Sequence, residues 1–141
     1  MQKSKIKNAK VLERAIDFHG HLGPYLVLGI LAGEFALKKL KCKKYFGFRV
    51  KVFGADKKPK SCLIDGLQLS TGATFGKGNI EKAAGKTIKI VFQNRTNNEK
   101  IVLKLKDGLK QILEVTKDKK DSELLAIALY KTNYFRLFDL V

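Results

Sequence analysis

The alternation of apolar and polar positions changes period several times along the chain, and each change marks an element. After a short basic lead-in ending near Lys7, Ala9 to Phe18 carries its apolar residues at helical spacing. His19-Gly20-His21 interrupts that helix. Pro24 then stands where a second helix can begin, because its missing N–H costs nothing in a first turn. This second helix, running to about Leu40, is apolar almost all round, which places it in the middle of the fold or in a dimer interface. Gly29 and Gly33 are four apart on one of its faces and allow another backbone to approach closely.

Beyond Lys44 the period falls to two. Phe48, Val50 and Val52 alternate with Arg49 and Lys51, which predicts a half-buried strand ending at Gly54. Ala55 to Lys60 is a polar loop, and Ser61 is placed to cap a third helix from Cys62 to about Ser70. Thr71 to Gly78 holds three glycines and reads as a turn-rich loop. Thr87 to Gln93 and Lys100 to Lys106 alternate again, with Asn94 to Glu99 as a hairpin connection. Asp107 is placed to cap a helix to about Lys117, and a last helix starts at Asp121 or Ser122. The order predicts an α+β fold: helices packed on one small mixed sheet. No repeat or composition break divides the chain, so residues 1–141 form a single domain with 118–141 as a helical extension.

Composition narrows the partners. At 141 residues, with 45% hydrophobic and 30% charged residues, the chain can bury a core without disulfides, and it is neither a disordered tail nor a membrane protein. The longest apolar run, Leu22 to Leu37, is broken by glycines, Pro24 and Glu34 and falls short of the ~20 residues that cross a bilayer. Met1 to Lys10 lacks the apolar stretch of a signal peptide. A soluble, cytoplasmic, reduced protein is expected. Its formal charge is +16, from 29 Lys+Arg against 13 Asp+Glu, yet only Arg14, Arg49, Arg95 and Arg136 are arginines. Lysine spread along every segment suits a general attraction to anions. Readers of nucleic-acid sequence favour arginine's planar fork, so the balance counts against nucleic acid as the partner. A basic adaptor without chemistry, docking on an acidic protein or nucleic acid, stays open as the alternative reading.

Candidate chemistry gathers at three places. His19 and His21, the two histidines of the chain, flank Gly20 at a helix break. A glycine-hinged turn can aim both at one point, where imidazole serves as metal ligand or general base. A helix cap plus a packed core histidine would account for the pair equally well. Cys62 opens the third helix, where the positive end of the helix dipole, with Lys58 and Lys60 nearby, is expected to lower its pKa. Asp65 follows one turn later on the same face. Thiolate, carboxylate and two imidazoles would complete a tetrahedral site for zinc or a similar divalent metal. Gly72 to Gly78 is not a P-loop: its spacing is one residue short and Gly78 replaces the required Ser/Thr. A weaker role remains for its backbone N–H groups and Lys77, which can hold an anionic group of a ligand. Tyr45, Phe46, Tyr130, Tyr134, Phe135 and Phe138 are expected in the core or at a dimer contact rather than stacked on bases.

Two of these stretches, DFHGHLGPYLVLGILAGEFAL (17–37) and SCLIDGLQLSTGATFGKGNI (61–80), resemble the signature segments of the FmdE family, which takes its name from formylmethanofuran dehydrogenase. The resemblance continues through GKTIKIVF (85–92). It implies an α+β domain built as helix, strand, helix and three strands, and a homodimer. It also implies a divalent-metal site at His19, His21 and Cys62, with Asp65 beside it. Cys62 would be ligand or nucleophile, His21 ligand or base, and Lys77 the anchor for an anionic small molecule. The implied role is an accessory component of one-carbon, formylmethanofuran metabolism alongside other formylmethanofuran dehydrogenase subunits, which carry the parent reaction themselves. Two departures bear on the metal: Gly23 and Ala73 stand where many relatives have cysteines, and no cysteine-rich ribbon follows.

Overall fold

A computed structural model of the chain describes residues 2–141, with side chains from Lys10 onward. The elements run α1 (Gln2–His19), α2 (Pro24–Leu40), β1 (Phe48–Phe53), α3 (Cys62–Thr71), β2 (Ile80–Ala83), β3 (Lys89–Asn94), β4 (Lys100–Leu105), α4 (Asp107–Val115), α5 (Lys119–Tyr130), a 3-10 turn (Tyr134–Arg136) and β5 (Phe138–Leu140). The five strands form one sheet in the order β2-β1-β3-β4-β5. β1 and β2 are parallel, with Val50 opposite Ile80, and every other neighbouring pair is antiparallel. The fold is therefore α+β with a mixed sheet.

The alternation along β1 and β3 turns Phe48, Val50, Val52, Ile90 and Phe92 to one face, where all are buried. Against that face lies α2. Val27, Leu28, Leu31 and Ala32 join the sheet residues in the main core, while Leu26 and Ile30 pack on Ala15 with Val11, Leu69 and Tyr130. The helix is apolar all round because the chain itself surrounds it. Its composition is satisfied within one chain and no longer argues for a dimer.

The backbone contact expected of the α2 glycines is made by α3. A Cβ on Gly29 would fall 2.0 Å from the Leu63 carbonyl oxygen, one on Gly66 would fall 2.1 Å from the Leu26 carbonyl oxygen, and one on Gly33 would strike Ser70 Oγ at 2.0 Å. Gly29 faces Leu63–Leu67 and Gly33 faces Ser70 and Thr71, so the two helices run in the same direction. Their N-termini, and the residues just before and after them, come to the same end of the molecule.

Several expectations change. The basic lead-in is part of α1. Ser61 precedes α3 but makes no side-chain cap, because its own backbone is already helical (φ −64°, ψ −16°). Asp107 is the first residue of α4 rather than its cap. The last helix starts earlier than Asp121, at Lys119, since Asp118 accepts from the N–H groups of Lys120 and Asp121 and caps it there. The short strand β2 went unmarked because only Ile80 is buried in it. The C-terminal segment is not wholly helical. Phe138–Leu140 turns back as β5 beside β4 and buries Phe138. Among the described residues no helix is long and apolar enough to cross a membrane.

Gly29→Ala should cost about 3 kcal/mol of stability, the upper range for forcing atoms into a packed interior, since the obstructing atoms are backbone on both sides. Gly108→Ala, in the first turn of α4 with open space at its Cβ, should gain about 0.5 kcal/mol or more. Urea midpoints of the two variants measure both signs.

Candidate functional site

His19 is the last residue of α1, and Gly20 ends the helix by donating to the Ile16 carbonyl (2.6 Å) at φ +107°, a conformation that side chains rarely adopt. The turn that follows carries His21, Leu22 and Gly23 to the start of α2. His19 and His21 lie ring to ring, centroids 4.7 Å apart and tilted by 41°. Because α3 runs beside α2 in the same direction, its first turns meet this junction. Asp65 Oδ2 is 2.6 Å from His19 Nδ1, and Gln68 Nε2 donates to the other carboxylate oxygen at 3.4 Å. A carboxylate at Nδ1 fits the tautomer with its proton there and a bare lone pair on Nε2. That Nε2 is buried without a hydrogen-bond partner among the described residues, in a side chain only 9% exposed.

His19, His21 and Cys62 line one cleft of about 910 Å³, together with Leu22, Pro24, Tyr25, Leu113 and the polar residues Lys60, Glu114, Lys117 and Lys119. A smaller cavity of about 210 Å³ beside Arg14 and Glu34 holds no histidine or cysteine. The large cleft is where the candidate chemistry collects.

Electrostatics inside it differ from the helix-dipole expectation. Burial pushes the Cys62 thiol above its usual value, the Asp65 carboxylate pushes the same way, and Lys58 opposes them more weakly. The thiol is therefore protonated near neutral pH. Tyr25 is also raised, by burial first and then by Glu114.

Lys77 is not brought to this cleft. It follows the C-terminal end of α3, the opposite end from Cys62, and ten helical residues span about 15 Å. Its Nζ lies 5.7 Å from the Tyr45 ring centre and 5.9 Å from that of Phe46. Four of the loop's amides are occupied as well: Thr74 N–H donates to the Asn79 side chain, Phe75 to Gln68, Lys77 to Thr74 Oγ1 and Gly78 to the Thr74 carbonyl. Glycine here serves a self-satisfied turn. Of the two positions without a family cysteine, only Gly23 belongs to the site. A Cβ there would lie 3.6 Å from His21 Nε2, whereas Ala73 is fully buried beyond the far end of α3. Among the aromatics, Phe138 is core, but Tyr45, Phe46 and Phe135 are more than half exposed.

Residues 18–133 match the model of a family described as "FmdE, Molybdenum formylmethanofuran dehydrogenase operon". The chain belongs to the FmdE family. The match takes in the histidine turn, α3 and the α4–α5 wall of the cleft alike. The chain is also similar to a "Probable S-adenosyl-L-methionine-binding protein" of Archaeoglobus fulgidus, 33% identical over 78 residues. That alignment takes in 52% of this chain and only 20% of the relative.

Among the described residues no three His, Cys, Asp or Glu side chains already stand close enough to hold a metal ion. The donor chemistry nevertheless fits one. A carboxylate-held imidazole with an orphaned, buried Nε2 is the usual form of a metal-binding histidine, and a second imidazole and a thiol share its cleft.

Of the lysines at the rim of the cleft, Lys60 was legible beside Cys62, but Lys117 and Lys119 were not. Lys117 and Lys119 belong to a basic stretch that looks like any solvated surface, and only the fold, which sets the end of α4 and the start of α5 at the same cleft as the α2 N-terminus, brings them here. Alkylation of Cys62 followed against pH should show a midpoint above that of an ordinary thiol. Asp65→Asn should move the midpoint down and Lys58→Ala should move it up, because a carboxylate disfavours the thiolate and an ammonium favours it.

Proposed function

We propose that this FmdE-family chain is a metal-binding accessory protein of formylmethanofuran and one-carbon metabolism, and that His19, His21 and Cys62 hold a divalent metal, zinc or a similar ion. The observation that carries the reading is the orphaned Nε2 of His19, fixed from behind by Asp65. Burying a polar nitrogen without a partner costs roughly 1–3 kcal/mol, and a bound cation removes that cost.

When bound, such a metal supplies a Lewis acid able to polarise a carbonyl or to acidify water. The protein's own residues set its surroundings. Asp65 keeps the Nδ1 proton of His19 in place and its ring oriented, and Gln68 steadies Asp65. His21 stands at the start of α2 as the second nitrogen donor or as a base. The Cys62 thiol, neutral near pH 7 as burial and Asp65 outweigh Lys58, suits a ligand that loses its proton to a metal better than a free nucleophile. The walls of Leu22, Pro24 and Leu113 keep the donors partly out of water.

The family description supports association with other formylmethanofuran dehydrogenase subunits, and a homodimer is the second partner to test by gel filtration. The ligand in the archaeal relative's name suits this cleft less well. S-adenosylmethionine carries a sulfonium cation, and a cleft bordered by three lysines repels it.

Elemental analysis of the untagged protein should find about one zinc, iron or nickel per chain, with His19→Ala and Cys62→Ala each losing it while remaining folded. Asp65→Asn should weaken metal affinity about 10–100-fold. Gly23→Cys should strengthen it, because the added Cβ points to His21 from an extended backbone that any residue adopts. A native protein that takes up no metal, even on soaking, would overturn the proposal.

A further inference from the structure

The cleft has a second set of unmet groups besides the metal donors. Helix α2 begins without a side-chain cap: Gly23 offers none, and Pro24 has no N–H. The helical ladder starts with Val27 N–H donating to the Gly23 carbonyl at 3.2 Å, which leaves the N–H groups of Tyr25 and Leu26 ahead of it. The α3 start differs, since Cys62, Leu63 and Ile64 donate to the carbonyls of Pro59, Lys60 and Ser61. The free positive helix end at the cleft is therefore that of α2, seventeen residues long. Beside it lies the Nε2 of His19, buried and without a hydrogen-bond partner among the described residues, which marks the cleft as made for an occupant.

Lys60, Lys117 and Lys119 border the same cleft, and among the described residues none of them has a carboxylate within ion-pair distance. Glu114 is the one carboxylate among the residues that line the cleft. Three ammonium groups against one carboxylate leave two positive charges, the match for a phosphate monoester dianion. Leu22, Pro24 and Leu113 offer an apolar wall alongside.

We infer that this cleft binds a small organic phosphate, its phosphate held by Lys60, Lys117, Lys119 and the uncapped start of α2, and its apolar body against Leu22, Pro24 and Leu113. The assignment rests on the preceding reading only in placing the working site in this cleft. It places none of the proposed metal donors on the phosphate, and shares with the metal reading the buried His19 Nε2 as the sign that the cleft has an occupant.

The test uses 1-naphthyl phosphate as probe, with 1-naphthoate and 1-naphthol as analogues of lower charge, on chelator-treated and on zinc-loaded protein. Two readouts are taken: saturation binding by probe fluorescence, and the rate at which N-ethylmaleimide modifies Cys62 relative to Cys42. Cys42 follows the C-terminal end of α2, outside the cleft, and serves as the internal reference. The phosphate should bind at one site, at least about tenfold tighter than naphthoate and more so than naphthol, and should protect Cys62 but not Cys42. Lys117→Ala with Lys119→Ala should weaken it about tenfold or more, while the charge-matched pair Lys82→Ala and Lys100→Ala should leave it unchanged. Equal weakening by both pairs would reduce the effect to general attraction and overturn the assignment. Naphthol binding as tightly as the phosphate, or unprotected Cys62, would do the same. Protection in chelator-treated protein supports the phosphate site even if the metal reading fails. Protection that appears only with zinc would put the anion on the metal and overturn the lysine assignment.

Discussion

Everything at the candidate site depends on how closely α2 and α3 can approach. Their axes run alongside in one direction because Gly29 and Gly66 let backbone meet backbone and Gly33 leaves room for the Ser70 side chain. The contact fixes the depth and register of α3 on α2, and register decides the chemistry. With the helices parallel, the turn before α2 and the first turns of α3 share one end. Asp65 thus reaches His19 across forty-six positions of sequence, and Cys62 faces the cleft that both histidines line. The sheet contributes by holding α2 from its other side through Phe48, Val50 and Phe92.

The same parallel arrangement also concentrates charge. α2 has no capping side chain at its start, unlike α5, whose first amides are taken by Asp118. The lysines brought in by α4 and α5 stand around that open end, while burial and Asp65 keep the thiol of Cys62 neutral. The cleft therefore combines donors suited to a cation with a rim suited to an anion. That combination is more specific than the overall charge of +16, which by itself is compatible with almost any acidic partner.

Much of this was legible in the sequence, for identifiable reasons. Strict alternation marked β1, β3 and β4, and the α2 glycines at a spacing of four announced a close helix contact, because each of these signals is local. The residue types at the helix break and at the start of the third helix already suggested one site for His19, His21 and Cys62, and the family resemblance implied the same grouping. What escaped was decided by tertiary contact. Strand β2 buries only Ile80, and β5 forms only because the chain returns to β4 after the 3-10 turn. The thiol's direction of shift went against the helix-dipole argument because burial outweighs a partial charge at a helix end. Lys77 looked like an anion anchor in its glycine loop, yet α3 separates it from the cleft, and the neighbouring amides are already bonded within the loop. Lys117 and Lys119, which do border the cleft, carried no signal that set them apart from the other lysines.

The central claim is that the parallel helix pair makes one donor set from two distant motifs, and X-ray absorption at the zinc edge of zinc-loaded protein tests it most directly. The account predicts imidazole nitrogens at about 2.0 Å together with one sulfur at about 2.3 Å in the first coordination shell. A shell without sulfur, or one without imidazole scattering, would show that Cys62 and the histidines do not act on the same ion and would contradict it.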